Sequence, residues 1–136
     1  DHYRSMDISQ FKNIFKLKNI HFYKLNNSNI SSLEPLFRKS LTDLSHLDIY
    51  DVSILLSKFD LIVSTDTVFA HLCGILNIKC VLLLSKNSDW RWFDDHKKTV
   101  WYKSIRIVKQ KKLDDWDKVI LLINRFLRLK SYTKNI

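Results

Sequence analysis

Two short apolar runs, Leu61-Ile62-Val63 and Val81 to Leu84, bracket a stretch from Thr67 to Leu76 that is helical in pattern. That order constrains the fold more than any other feature. A continuous apolar run suits a strand buried on both faces. A strand followed by a helix and a second strand implies a crossover connection, which leaves the two strands parallel. The alternation extends both ways. Asp7 reads as a cap before Ile8, Phe11, Ile14 and Phe15 at helical spacing. Ile20 to Leu25 reads as a strand, Asn26 to Ser32 as a loop, Leu33 to Lys39 as a short helix with Pro35 in its first turn, and Leu41 to Leu44 as a weak strand. Asp51 is a candidate cap for a helix with Val52, Leu55, Leu56 and Phe59 on one face. Ser104 to Val108 reads as the last strand. Asp114 is a candidate cap for the final helix, which has Trp116, Val119, Ile120, Ile123 and Leu127 on one side. The expected fold is α/β, a Rossmann-like parallel sheet with helices on both faces, in a single domain over residues 1–136. No internal repeat, low-complexity tract or linker divides it.

The chain has one Gly and one Pro, so its turns must rely on Asn, Asp and Ser. The net charge of +9 favours anionic partners without choosing among them. The lysines are scattered apart from Lys109, Lys111 and Lys112, a run that reads as a solvated face, and no nucleic-acid partner is expected. Cys73 and Cys80 do not form a zinc pattern and read as buried, reduced thiols, which suit a cytoplasm. The apolar runs are too short to span a bilayer, and the polar, charged first residues show no signal peptide. The expected location is the cytoplasm, including the inner face of the membrane. The chain does not begin with Met, as expected of a piece of a longer protein or a processed one.

The strongest local signal is Ser64-Thr65-Asp66-Thr67-Val68-Phe69-Ala70-His71-Leu72, where a buried strand ends and a helix begins. In a parallel sheet this is the carboxyl edge, where ligands collect. The first helical turn offers free backbone N–H groups and a partial positive charge, which suit a phosphate. Thr67 and His71 are four apart and share a helix face. Helical side chains lean toward the N-terminus, so His71 reaches back over the first turn. A hydroxyl, backbone amides and an imidazole then converge on a volume that suits a diphosphate. Asp66 would cap the helix, order the loop or accept from a sugar hydroxyl. The simpler alternative makes Asp66 a cap and His71 a half-buried surface residue. Asp89-Trp90-Arg91-Trp92-Phe93 follows the next buried strand to the same edge. There Arg91 could pair with phosphate and a tryptophan could stack on a base or sugar. The alternative is that both tryptophans pack the loop and Arg91 is solvated. Trp101-Tyr102 reads as packing. Arg4 and Ser5, ahead of the first helix, could approach the same ligand.

The order of these pieces resembles the C-terminal domain of bacterial glycosyltransferases related to the ADP-heptose transferases, glycosyltransferase family 9. It is most similar to the branch fused to tetratricopeptide repeats and described as similar to O-linked N-acetylglucosamine transferases. The resemblance runs through Arg4-Ser5, Asp60 to Thr67, Ala70-His71-Leu72, Asp89-Trp90-Arg91-Trp92, Trp101-Tyr102, Arg106, Gln110 and Asp115-Trp116-Asp117. It implies a GT-B fold, two Rossmann-like domains facing a cleft, of which this chain is the half that binds a nucleotide-sugar. Carried over, Asp66, Thr67, Val68 and His71 surround the donor diphosphate, Arg4 and Ser5 approach it from the opposite side, and Trp90 and Arg91 lie on a loop beside it. The catalytic base is expected in an N-terminal acceptor domain. No metal and no cofactor beyond the donor substrate is implied.

Three departures stand out. Val68 occupies the position where heptose transferases carry Gly, Ser85-Lys86-Asn87-Ser88 replaces a proline-containing loop, and Lys103 follows Trp101-Tyr102 where Pro is usual. The family domain also begins with a strand, normally central in the sheet, upstream of the position matching Asp1. Without it, strand edges are left to be paired or covered, and a homo-oligomer through such an edge is expected. The functional expectation is sugar transfer from a nucleoside-diphosphate sugar to a glycan, lipid or protein acceptor, with this chain alone inactive. The alternatives are a non-catalytic binding or structural module derived from the fold, and a nucleic-acid binder driven by charge, which the motif order does not favour.

Overall fold

Cys80–Leu84 is buried along its whole length, and this is what fixes the larger of two sheets. A strand with no exposed face must be covered on both sides and flanked at both edges. In the computed structural model, which describes residues 6–31, 33, 35–92 and 99–133, both requirements are met. The described chain forms two compact units, one over Ile49–Asp115 and one joining Met6–Asp48 to the segment that starts at Trp116.

The Ile49–Asp115 unit holds a three-stranded sheet. In chain order through the protein the strands are β1 (Phe22–Lys24), β2 (Leu41–Asp43), β3 (Ile62–Ser64), β4 (Cys80–Leu84) and β5 (Ile105–Lys109). The last three make the sheet β3-β4-β5, parallel throughout, with Ile62 opposite Cys80 and Cys80 opposite Ile105. Central β4 is apolar on both faces. On flanking β5, buried Ile105 and Ile107 alternate with exposed Arg106. The longer helices are α2 (Ile49–Leu56), α3 (Val68–Ile75) and α4 (Trp116–Thr133), after the single turn α1 (Pro35–Arg38). Helix α3 forms the crossover from β3 to β4, burying Ala70 and Cys73 while Val68 and Ile75 face out. It ends in a Schellman turn: Asn77 N–H donates to the Gly74 carbonyl and Ile78 N–H to that of Cys73, with Asn77 at φ 55°. Asn19 and Asp114 also take positive φ, so the left-handed positions are held by Asn and Asp, as the scarcity of glycine requires.

The other unit contains a second parallel pair, β1-β2, with Phe22 opposite Leu41. Its core is Phe15, Leu33 and Phe37, surrounded by Ile8, Phe11, Phe22, Ile30 and Leu41. Helix α4 packs on the first 3-10 helix, Ile8–Phe11, and buries Trp116, Val119, Ile120 and Ile123, the spacing of one helix face. Among the described residues no helix is long and apolar enough to cross a membrane.

The protein is thus α/β with parallel strands, but among the described residues the strands form two sheets, not the single one expected, with no strand pairing between them. Three local readings are also corrected. Ile8 to Phe15 is a 3-10 helix followed by turns instead of an α-helix, although Asp7 does cap it, accepting from Ser9 N–H at 2.7 Å. Asp51 lies within the first turn of α2 and not ahead of it. Asp114 takes a left-handed turn conformation, and α4 starts at Trp116.

One ion pair has a measurable consequence. Asp43 accepts from Ser45 N–H at 2.9 Å and lies 3.1 Å from buried Lys24, whose ammonium also donates to the Asn26 carbonyl. The Ser45 hydrogen bonds, with a smaller effect from Lys24, hold the Asp43 carboxyl down at about 2. Because the folded state lowers this value, its contribution is present above pH 3.8 and is lost as pH falls toward 2. Denaturant midpoints measured between pH 5 and 2 are expected to fall more steeply for the native protein than for Asp43→Asn.

Candidate functional site

The three strands of the larger sheet run to the same edge, β4 and β5 ending level and β3 two residues short of them, and each is followed by a polar residue: Thr65 after β3, Ser85 after β4 and Gln110 after β5. Gln110 N–H donates to the Leu84 carbonyl at 2.9 Å, and its side-chain oxygen accepts from Lys86 N–H at 3.2 Å. Both Ser85 and Gln110 are buried. This carboxyl edge is where parallel sheets place ligands, because helix N-termini point toward it.

Helix α3 starts there. Thr67 is its N-cap residue in extended conformation, but its side chain makes no capping bond. The Thr67 hydroxyl instead pairs with that of Ser64 at 2.9 Å, and Ser64 Oγ donates to the Thr65 carbonyl. The N-cap side chain therefore leaves the first-turn N–H groups for another acceptor. Val68, the first helical residue, is exposed. Asp66 is not the cap. Its side chain is only 7% exposed, with Oδ1 3.9 Å from His71 Nε2.

His71 does reach back over the first turn, as its position on the helix requires. Its ring stacks on Trp92, with centroids 4.9 Å apart and planes at 28°, and meets Tyr102 edge-on at 5.9 Å. Nδ1 lies 3.2 Å from the Tyr102 hydroxyl. One ring nitrogen thus faces a tyrosine and the other the loop that opens the helix. With one third of its side chain exposed, His71 keeps an accessible edge.

The structure therefore brings together Asp66, Thr67 and His71 and sets Val68 beside them. It separates the two tryptophans of the aromatic loop. Trp92 is fully buried and Trp90 is 73% exposed, so the packing alternative holds for Trp92 alone. Arg91 forms an ion pair with Asp89 at 3.0 Å, and Asp89 also accepts from Arg91 N–H. Trp101, read as packing, is mostly exposed, and its indole N–H donates to the Arg91 carbonyl at 3.1 Å. Tyr102, also read as packing, holds the histidine. It lies 31 positions along the chain, and no local pattern in the sequence could have paired them. Arg4, Ser5 and Phe93 lie outside the described residues.

Cys73 and Cys80 are free and buried where α3 meets β4. The hydrogen bond with Cys73, reinforced by burial, pushes the Cys80 thiol up, so it stays protonated. Among the described residues no three His, Cys, Asp or Glu side chains gather as metal ligands would. No family model, curated protein or solved structure matches the chain.

Proposed function

We propose that this chain is the donor-binding half of a GT-B glycosyltransferase related to the ADP-heptose transferases of family 9. It would take a nucleoside-diphosphate sugar whose sugar passes to a glycan, lipid or protein acceptor. The observation that carries the reading is the convergence at the start of α3: a first turn that the Thr67 side chain does not cap, and His71 turned back toward it at the carboxyl edge of a parallel sheet. These groups suit the charge that develops on a departing diphosphate. The edge strands of the three-stranded sheet are a place for self-association. The proton acceptor for the incoming nucleophile belongs to an acceptor-binding domain, so this chain alone binds nucleotide and transfers nothing.

A second reading, a binding module that has lost catalysis, is favoured by one observation: Arg91 is engaged by Asp89. Calorimetric titration with ADP, UDP, GDP and their sugars tests the first reading. Binding of at least one is expected, weakened about tenfold by His71→Ala through loss of one hydrogen bond to an anion. A folded sample that gives no heat with any of them contradicts it. His71→Ala with Thr67→Val in the complete enzyme separates the two readings, since unchanged transfer activity would favour the module.

A further inference from the structure

We propose that Tyr102 is the positioning residue of this site. Its hydroxyl occupies His71 Nδ1, so that Nε2 carries its hydrogen toward the opening turn of α3. The inference rests on the donor-site reading for what Nε2 would contact, but not for the geometry itself.

The first observation is the Tyr102 hydroxyl, 3.2 Å from Nδ1. A tyrosine hydroxyl can donate to an imidazole nitrogen or accept from it. The Asp66 carboxylate oxygen 3.9 Å from Nε2 favours the form with the hydrogen on Nε2, and Nδ1 then accepts from the Tyr102 hydroxyl.

The second observation is the chain's only glycine. Gly74 does not serve backbone freedom. It lies within α3 without positive φ, while the left-handed turn that ends this helix is made by Asn77. Glycine inside a helix costs stability relative to alanine. What it permits is the approach of Tyr102: a Cβ at position 74 would overlap Cγ, Cδ1 and Cδ2 of that ring. Those atoms are at the near end of the side chain, so the ring could not stay where it is. His71 and Gly74 are three residues apart on one helix face. One covers the tyrosine's hydroxyl end and the other seats its ring. Trp92 packs against the same ring at 6.2 Å, and Ser104 Oγ donates to the Cys73 carbonyl, tying the following segment to α3.

Tyr102→Phe keeps the ring on Gly74 and removes only the hydroxyl. Nitrogen-15 spectra of the His71 imidazole are expected to show a hydrogen-bonded Nδ1 and a protonated Nε2 in the native protein, with the Nδ1 resonance moving in the variant. Affinity for ADP or UDP is expected to fall roughly three- to tenfold, the effect of one hydrogen bond. Gly74→Ala, which displaces the ring, is expected to move the same resonance. In the His71→Ala background Tyr102→Phe should cost no further affinity. An unchanged His71 spectrum in Tyr102→Phe, or an equal loss of affinity with and without His71, overturns the inference. If the native protein binds none of ADP, UDP and GDP, the donor-site reading fails, and the His71 spectrum still decides the role of Tyr102.

Discussion

Trp92→Ala is expected to destabilise the protein by about 3–5 kcal/mol, the range for deleting a large aromatic side chain from a core. Trp92 is completely buried at the end of the loop after β4, with His71 stacked on one side and Tyr102 tilted against it. Truncation removes the surface on which both site residues rest, and a rigid parallel sheet cannot collapse to fill the space. A domain of this size is stable by only about 5–15 kcal/mol, so the loss takes a large share of the total. Trp92→Phe keeps a ring in place and removes an indole N–H that has no hydrogen-bond partner among the described residues. Its cost should be about 1–2 kcal/mol. Denaturant midpoints of the three proteins check the order. A Trp92→Ala protein that loses less than about 1 kcal/mol would show that the loop packs differently.

Val68→Asp is expected to separate stability from binding. Val68 is the first residue of α3 and is more than half exposed, so a carboxylate there meets solvent and the positive end of the helix. Interaction with the helix dipole should leave stability unchanged or raise it by about 0.3–1 kcal/mol. The same carboxylate lies where a diphosphate would sit, and charges a few ångströms apart near a protein surface repel by a few kcal/mol. Nucleotide affinity should therefore drop on the order of a hundredfold or more. Opposite signs in the two measurements exclude unfolding as the cause of lost binding. Affinity equal to that of the native protein would move the phosphates away from this turn.

How much of this was legible in the sequence depends on whether the governing interaction is local. The β4 run could be read because complete burial leaves no polar residue in the strand. The start of α3 at Thr67–Val68 could be read because helical spacing begins there directly after an apolar strand. By contrast, Ile8, Phe11 and Ile14 recur every third residue, a spacing shared by α- and 3-10 helices, and the tighter form is adopted. Asp114 shows the ambiguity of short polar side chains, which suit a helix cap and a left-handed turn alike. Division of the strands into two sheets depends on pairing partners, about which a strand's own sequence says little. Asp66, Thr67 and His71 are near neighbours along the chain at the start of α3, so their convergence is legible from spacing. The place of Tyr102 is not, because its contact with Gly74 and His71 is made only through the fold. The lone glycine inside an apolar helix was the available clue, since it had no turn to make.

The most direct test of the central claim follows the backbone amides of Val68 and Phe69 by nuclear magnetic resonance while ADP, UDP or GDP is added to the isotope-labelled protein. Saturable shifts concentrated at these two amides and at His71, and absent in Val68→Asp, are the predicted result. Shifts that cluster elsewhere while the start of α3 stays silent, or no response to any of the three nucleotides, would contradict a diphosphate site at this helix.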